Sequence, residues 1–310
     1  MRTLKGWTGL GPADRGATLA IGNFDGVHLG HRAVIERARA ACPDAPLGVL
    51  TFEPHPREVL RPGAPPFRLM NAEARAHRLQ KLGVERLYEL PFDATLAGLS
   101  AGDFAARVLA GGLGARHVVV GPDFCFGRGR TGDAAALSAF GAEHGFGVTI
   151  AEIVAGQGGR VSSTAIRAAL GAGRPRDAAA MLGHWHRIEG AVRHGDKRGR
   201  TLGYPTANMG LEGLHLPRFG VYAVLVEVLD GPHRGSWHGA ASLGVRPMFE
   251  TPVPMLETTI FDFAGDLYGR HLSVGLVEFL RPEIHFDGLE ALVTQMDADC
   301  ARARDILAAL

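Results

Sequence analysis

What limits the fold of this chain most is a change of rhythm near residue 183. Before it, short apolar runs alternate with stretches of helical period. ATLAIG (17–22), LGVLTF (47–52), ERLYEL (85–90), RHVVVG (116–121) and GVTIAEI (147–153) read as strands. LGHRAVIERARAA (29–41), NAEARAHRLQKLG (71–83), SAGDFAARVLAGG (100–112), TGDAAALSAFGAEHG (131–145) and PRDAAAMLG (175–183) read as helices. Asn71 is placed to cap the second of these and Gly83 to stop it. Continuous apolar strands separated by helices form a parallel sheet covered on both faces. The expected fold is therefore a Rossmann-like α/β domain, with ligands beyond the carboxyl ends of its strands.

After residue 183 the helical period disappears. GVYAVLVEVLD (220–230), GSWHGAASLGV (235–245), MLETTIFDF (255–263) and LSVGLVEFL (272–280) are strand-like and broken by Gly, Pro and Asp. A strong helix, 288–310, closes the chain. An antiparallel barrel or sandwich with one C-terminal helix fits. A length of 310 residues suits two domains, which we divide as 1–183 and 184–310.

Composition excludes several classes. The net charge of +1 leaves no electrostatic footprint for nucleic acid or an anionic membrane. No apolar run approaches the length of a membrane span, and MRTLKGW is not followed by a signal core. Cys42, Cys125 and Cys300 are scattered, with no CxxC spacing. They argue for reduced thiols in a cytoplasm, not a disulfide frame or a zinc site. Self-association stays open.

GNFDGVHLGH (22–31) stands directly behind the first strand. Backbone amides at a helix N-terminus point outward, and the helix dipole favours an anion there. His28 and His31 share a face of the first helical turn, and both can donate to phosphate oxygens. Gly30 between them would allow a ligand to approach. The stretch makes sense as a clamp for a nucleotide triphosphate. It has neither a P-loop lysine nor GxGxxG. A second anion site is the start of SSTAIR (162–167), with capping hydroxyls on Ser162, Ser163 and Thr164 and the Arg167 guanidinium one turn in. Asp123 stands just after the strand RHVVVG, at the carboxyl edge.

HxGH resembles the signature of the nucleotidyltransferase superfamily. FEPHP (52–56), GPDFCFGRGRTGD (121–133) and VSSTAIRAAL (161–170) follow it in order. Together they resemble the FMN adenylyltransferase module of bacterial bifunctional FAD synthetases. The resemblance implies ATP and phosphate binding at Gly22, Asn23, Phe24, Asp25, Gly26, Gly30, Ser163 and Thr164. It implies catalysis by His28, His31 and Arg167, and flavin binding at Phe52, His55, Asp123 and Phe124. His55 is equally readable as a rigid-turn residue.

GDKRGRTLGYPTANM (195–209) resembles the riboflavin kinase module of the same family, and its PTAN stretch reads as a tight loop shaped by Pro205. LPRFGVYAV (216–224), LETTIFDFAGDLYGR (256–270) and FLRPEIHFDGLEAL (279–292) support that likeness. It implies a Rossmann-like adenylyltransferase domain followed by an antiparallel β-barrel kinase domain. Gly195, Gly199 and Gly203 would let backbone amides approach ATP, Thr206 and Asn208 would hold Mg²⁺, and Glu257 would be the catalytic base. Arg281 and Phe286 are candidates to hold the flavin. Met248 stands where the family usually has threonine, which keeps open the alternative of adenylyl transfer alone. A flavin- or nucleotide-binding regulator is a further alternative. The expected activities are phosphorylation of riboflavin to FMN and adenylyl transfer to FMN, giving FAD.

Overall fold

A computed structural model describes residues 1–152, 155–156, 159–194, 204–246 and 253–310. Six strands build the first sheet: β1 (Arg2–Lys5), β2 (Thr18–Ile21), β3 (Leu47–Phe52), β4 (Arg86–Leu90), β5 (His117–Val120) and β6 (Gly147–Ile150). Their order is β1-β4-β3-β2-β5-β6, and every pair is parallel. Helices α1 (Leu29–Ala41), α2 (Ala72–Lys81) and α3 (Ala134–His144) match the expected stretches. Phe104–Gly112 is also helical, but wound with the wide π pitch. β2, β3 and β5 are apolar apart from Thr18, Thr51 and His117, because both faces are covered. Leu19, Leu50, Val118 and Val120 are fully buried, with Val108 and Leu109 of the π-helical segment in the same core. β1 was not anticipated. RTLK is too polar to read as a strand, and it occupies a sheet edge, where polar strands are tolerated.

The second sheet contains β7 (His186–Ala191), β8 (Thr206–Gly210), β9 (Gly220–Val228), β10 (Gly235–Arg246), β11 (Val253–Ile260) and β12 (His271–Arg281). The order is β7-β12-β9-β10-β11-β8, all antiparallel. The Arg193 amide donates to the Asn208 carbonyl at 2.8 Å, which bridges the edges and curls the sheet toward a barrel. Its interior holds Met209, Tyr222, Val224, Leu243, Leu256, Val274 and Leu276. Burying such side chains contributes roughly 1.5–3 kcal/mol each. Outside it, Ala303 and Leu307 of the C-terminal helix pack with Val221, Ala223, Ala240 and Val277.

The chain packs as two units, one of Met1–Pro65 with Arg75–Val161 and the other of Pro66–Ala74 with Ser162–Leu310. The second unit includes α4 (Ser163–Gly171), α5 (Pro175–Leu182) and the C-terminal helix α6 (Leu289–Ala308). The sequence reading instead divides the chain at 183/184. α4 and α5 join Leu69 in a small apolar cluster through Ile166, Ala169, Leu170, Ala178 and Leu182. Arg218 of the second unit also donates its amide to the Leu170 carbonyl at 2.9 Å.

Candidate active sites

In the first unit β2 lies between β3 and β5, where the strand order reverses. The loops after β2 and β5 therefore leave the sheet side by side at its ligand-binding edge. The first loop has an unusual backbone. Phe24 (φ 51°), Gly26 (φ 87°) and Val27 (φ 42°) are all left-handed. Phe24 and Val27 are nevertheless buried, so packing holds them there. Phe24 also fills the space beside Gly22, where a Cβ would lie 3.4 Å from its ring. Asn23 is exposed, and its carbonyl accepts from the Thr51 hydroxyl at 3.2 Å. Asp25 is buried.

His28 is the N-cap of α1, and its Nδ1 accepts from the His31 amide at 3.3 Å. An accepting Nδ1 puts the neutral ring's proton on Nε2, which becomes the donor. The His31 ring stacks on it, with centroids 3.7 Å apart and planes 14° apart. Burial, and secondarily the His28 ring, holds the His31 pKa well below the usual imidazole range. That favours the neutral form of His31, and among the described residues its buried Nδ1 has no hydrogen-bond partner. Gly30 has a tighter role than ligand access. A Cβ there would sit 3.1 Å from Cε1 and Nδ1 of His28. The glycine makes room for the His28 ring itself.

Phe52 ends β3 and meets Phe92 edge-on at 5.8 Å. Asp123 and Phe124 follow β5 in a turn closed by the Phe124 amide on Gly121 O at 3.1 Å. The Phe124 ring stacks on Phe126 at 5.5 Å. His55 caps the short helix Pro56–Leu60; its Nδ1 accepts from the Arg57 amide and its own amide donates to Glu58, both at 3.0 Å. That ring nitrogen serves the turn.

Sequence reading missed Arg75. It is buried, and Nη2 lies 2.8 Å from Glu53 and 2.8 Å from Glu89. The three charges join the ends of β3 and β4 to α2. One signal was present, since Arg75 shares a helical face with Leu79 and Leu82.

In the second unit Ser162 caps α4, accepting from the Ala165 amide at 3.2 Å. Ser163 and Thr164 form the first turn. Arg167 donates through Nε to the Phe67 carbonyl at 2.6 Å and lies over the Phe67 ring at 5.4 Å.

The PTAN stretch is not a loop. Thr206 and Asn208 are on β8, which pairs with β11 so that Asn208 faces Glu257 and Thr206 faces Thr259. Glu257 in turn faces Ser242 of β10. Opposed residues of an antiparallel pair share a face. Met209 and Leu256 line the interior, so Thr206, Asn208, Glu257 and Ser242 form a polar row on the opposite face. The Asn208 amide nitrogen donates to the Thr206 carbonyl at 3.4 Å, which leaves its Oδ1 as the acceptor. Just before this strand, Tyr204 donates its hydroxyl to Asp297 of α6, a bond that pushes the phenol pKa up to about 12.

Arg281, at the end of β12, is engaged by α6. Its Nε lies 2.9 Å and its Nη2 2.7 Å from Oδ2 of the buried Asp299. Its Nη1 donates to Pro282 O at 3.1 Å, and the guanidinium carbon is 5.7 Å from the Phe286 ring centroid. Gly195, Gly199, Gly203 and Met248 lie outside the described residues.

A family model for FAD synthetase matches residues 11–165, and one for riboflavin kinase matches 182–307. A curated protein named bifunctional riboflavin kinase/FMN adenylyltransferase, from Pseudomonas fluorescens, is 44% identical over 99% of this chain and 98% of its own length. Proteins of the same name from Escherichia coli K12 and Bacillus subtilis are 39% and 35% identical, covering 98% and 91% of the chain and 97% and 90% of their own lengths. A crystal structure described as a macrolide-efflux protein from Streptococcus pneumoniae superposes with a TM-score of 0.82 at 33% identity, covering 96% of this chain and 97% of that one. Among the described residues no helix is long and apolar enough to cross a membrane.

Proposed function

The chain belongs to the family of bifunctional riboflavin kinases/FMN adenylyltransferases, and from that premise we propose which residues carry each of its two reactions. It phosphorylates riboflavin with ATP to give FMN and ADP, then transfers AMP from ATP to FMN to give FAD and pyrophosphate.

For the kinase, one observation carries the reading: the register that puts Asn208 opposite Glu257 with Thr206 on the same face. Glu257 takes the proton of the ribityl hydroxyl as that oxygen bonds to the γ-phosphorus and the bond to ADP breaks. The Thr206 hydroxyl and Asn208 Oδ1 are hard neutral oxygens, which fit Mg²⁺ shared with substrate phosphates. When bound, the ion neutralises charge on those phosphates. Gly195, Gly199 and Gly203 are assigned to ATP, and Arg281 and Phe286 to the flavin, on family likeness alone.

Adenylyl transfer needs no base, because the attacking FMN phosphate is already ionised near neutral pH. Its oxygen bonds to the α-phosphorus while the bond to pyrophosphate breaks. The task is to hold the phosphates and stabilise charge, and His28 Nε2–H and His31 supply donors at the head of α1. The loop residues Gly22, Asn23, Phe24, Asp25 and Gly26 shape that pocket, with Gly30 preserving the His28 pose. Phe52, Asp123 and Phe124 are assigned to the flavin. Ser163, Thr164 and Arg167 are assigned to an anion at the start of their own helix. We further place the functional boundary at 183/184 and the protein in the cytoplasm, where its three free cysteines stay reduced.

The test uses purified protein with ATP, Mg²⁺ and either riboflavin or FMN, with flavins separated by chromatography. His28→Ala should lower FAD formation by roughly 10²–10³ and spare FMN formation. Glu257→Gln should lower riboflavin phosphorylation by roughly 10²–10⁴ and spare FAD formation from FMN. Equal damage to both reactions by either variant contradicts the assignment.

A further inference from the structure

The loop after β5 carries two arginines to which the site described above gives no role. Arg128 and Arg130 are exposed, and among the described residues neither guanidinium has a hydrogen-bond or ion-pair partner. Two unpaired arginines on a slack loop would be unremarkable. This loop is built otherwise. Gly127 (φ 74°), Gly129 (φ 66°) and Arg130 (φ 59°) are left-handed, three of four consecutive residues. An arginine there is strained, since its Cβ crowds the backbone.

The loop is also pressed onto a neighbour. A Cβ on Gly127 would lie 2.7 Å from the Ala101 amide nitrogen, and one on Gly132 would lie 2.8 Å from the Ala101 Cβ. The Arg128 amide donates to the Leu99 carbonyl at 2.7 Å, and the Arg130 amide to the Gly127 carbonyl at 2.9 Å. The backbone is thus anchored while the two cationic side chains are left unengaged. Its position sharpens the point. β5 is hydrogen-bonded to β2, so this loop and the left-handed Phe24–Val27 loop leave adjacent strands at the same edge, about 5 Å apart at their roots. Two strained loops at a topological switch point, one ending in histidine donors and the other in free guanidiniums, suit a polyanionic ligand pair.

We propose that Arg128 and Arg130 form a second phosphate-recognition loop of the adenylyl-transfer site, taking a terminal phosphate of one of its two substrates. The source is the monophosphate of FMN or the polyphosphate of ATP. The chemistry is the same, and the kinetics separate them. The proposal rests on the adenylyl-transfer reading of this sheet edge.

Arg128→Gln, Arg130→Gln and the double variant are assayed for FAD formation with FMN and ATP varied in turn. Riboflavin phosphorylation in the same preparations is the internal control for folding. Charge-assisted contacts of this kind make a loss of roughly 10- to 100-fold in kcat/KM the expected result for the double variant. A rise in KM for FMN assigns the loop to the monophosphate, and a rise in KM for ATP assigns it to the polyphosphate. Arg→Lys at both positions should recover part of the loss, and the salt dependence of the affected KM should flatten in the Gln variants. Loss in neither reaction, or equal loss in both, overturns the proposal. His28→Ala in parallel separates the levels of failure. If it leaves FAD formation intact, the reading of the edge is wrong; if it acts and the arginine variants do not, only the loop is wrong.

Discussion

Replacing Arg281 with methionine would remove the guanidinium from Asp299 while keeping most of the apolar bulk. The pair is well shielded, with side chains 18% and 9% exposed. Asp299 accepts from Nε and Nη2 of Arg281 and, among the described residues, otherwise from Gln295 at 3.0 Å. Removing one partner of a buried pair costs about 3–5 kcal/mol, because the remaining charge is left without compensation. Gln295 stays, so the low end of about 3 kcal/mol applies. For a unit of this size each kcal/mol moves Tm by roughly 2–4 °C, giving a fall of about 6–12 °C. The assay is calorimetry of Arg281→Met, Asp299→Leu and the double variant, with flavin kinetics alongside. The double variant should recover most of the loss, since an apolar replacement of both partners leaves no buried charge. A fall under about 2 °C, or a double variant no better than the single, refutes the clamp. Unchanged Tm with a tenfold rise in KM for riboflavin would assign Arg281 to the flavin instead.

His186 is buried and its pKa is pushed down to about 3, first by burial and then by His184 and His215. Its folded pKa lies below its unfolded value near 6.5, so its stabilising contribution is complete above about pH 6.5 and is lost as pH falls toward 3. The slope is at most about 1.4 kcal/mol per pH unit. His186→Leu should flatten the fall of Tm between pH 7 and 5; an unchanged slope contradicts this. Gly30→Ala should push the His28 ring by a few tenths of an ångström and lower FAD formation about tenfold, leaving FMN formation intact. Normal FAD formation would show that the ring tolerates the shift. A fragment of residues 162–310 should melt several degrees above one of 184–310, because the shorter piece loses the Arg176–Glu278 pair and the Leu170 carbonyl that receives the Arg218 amide. Equal Tm values would mean that α4 and α5 add nothing to the barrel.

The parallel sheet was legible because burial on both faces leaves mostly apolar residues to read, as in Leu47–Leu50 and Val118–Val120. The histidine pair was legible because cap, glycine and helix are local in sequence. β7 was not. HRIEGA carries Arg187 and Glu189, whose charges are met by Glu227 and Ser273 from distant strands. β8 was hidden by Pro205 and Gly210, which speak for a turn, although Ala207, Met209 and Leu211 alternate into the core. The meeting of Asn208 with Glu257 depends on strand register, and no local pattern announces it. Arg75 was masked by the polarity of its helix, since its partners Glu53 and Glu89 come from other segments.

The polar row of Thr206, Asn208, Glu257 and Ser242 hangs on three paired strands, and side chains there alternate with a period of two. Its evolutionary freedom is therefore lopsided. Loops flanking the row can lengthen or shorten with little effect on which atoms face one another. A single residue gained or lost inside β8 or β11 would turn Glu257 or Asn208 toward Met209 and Leu256 and bring apolar side chains out in their place. Descendants of this chain can thus vary around the row by insertion and deletion, but within it only by substitution.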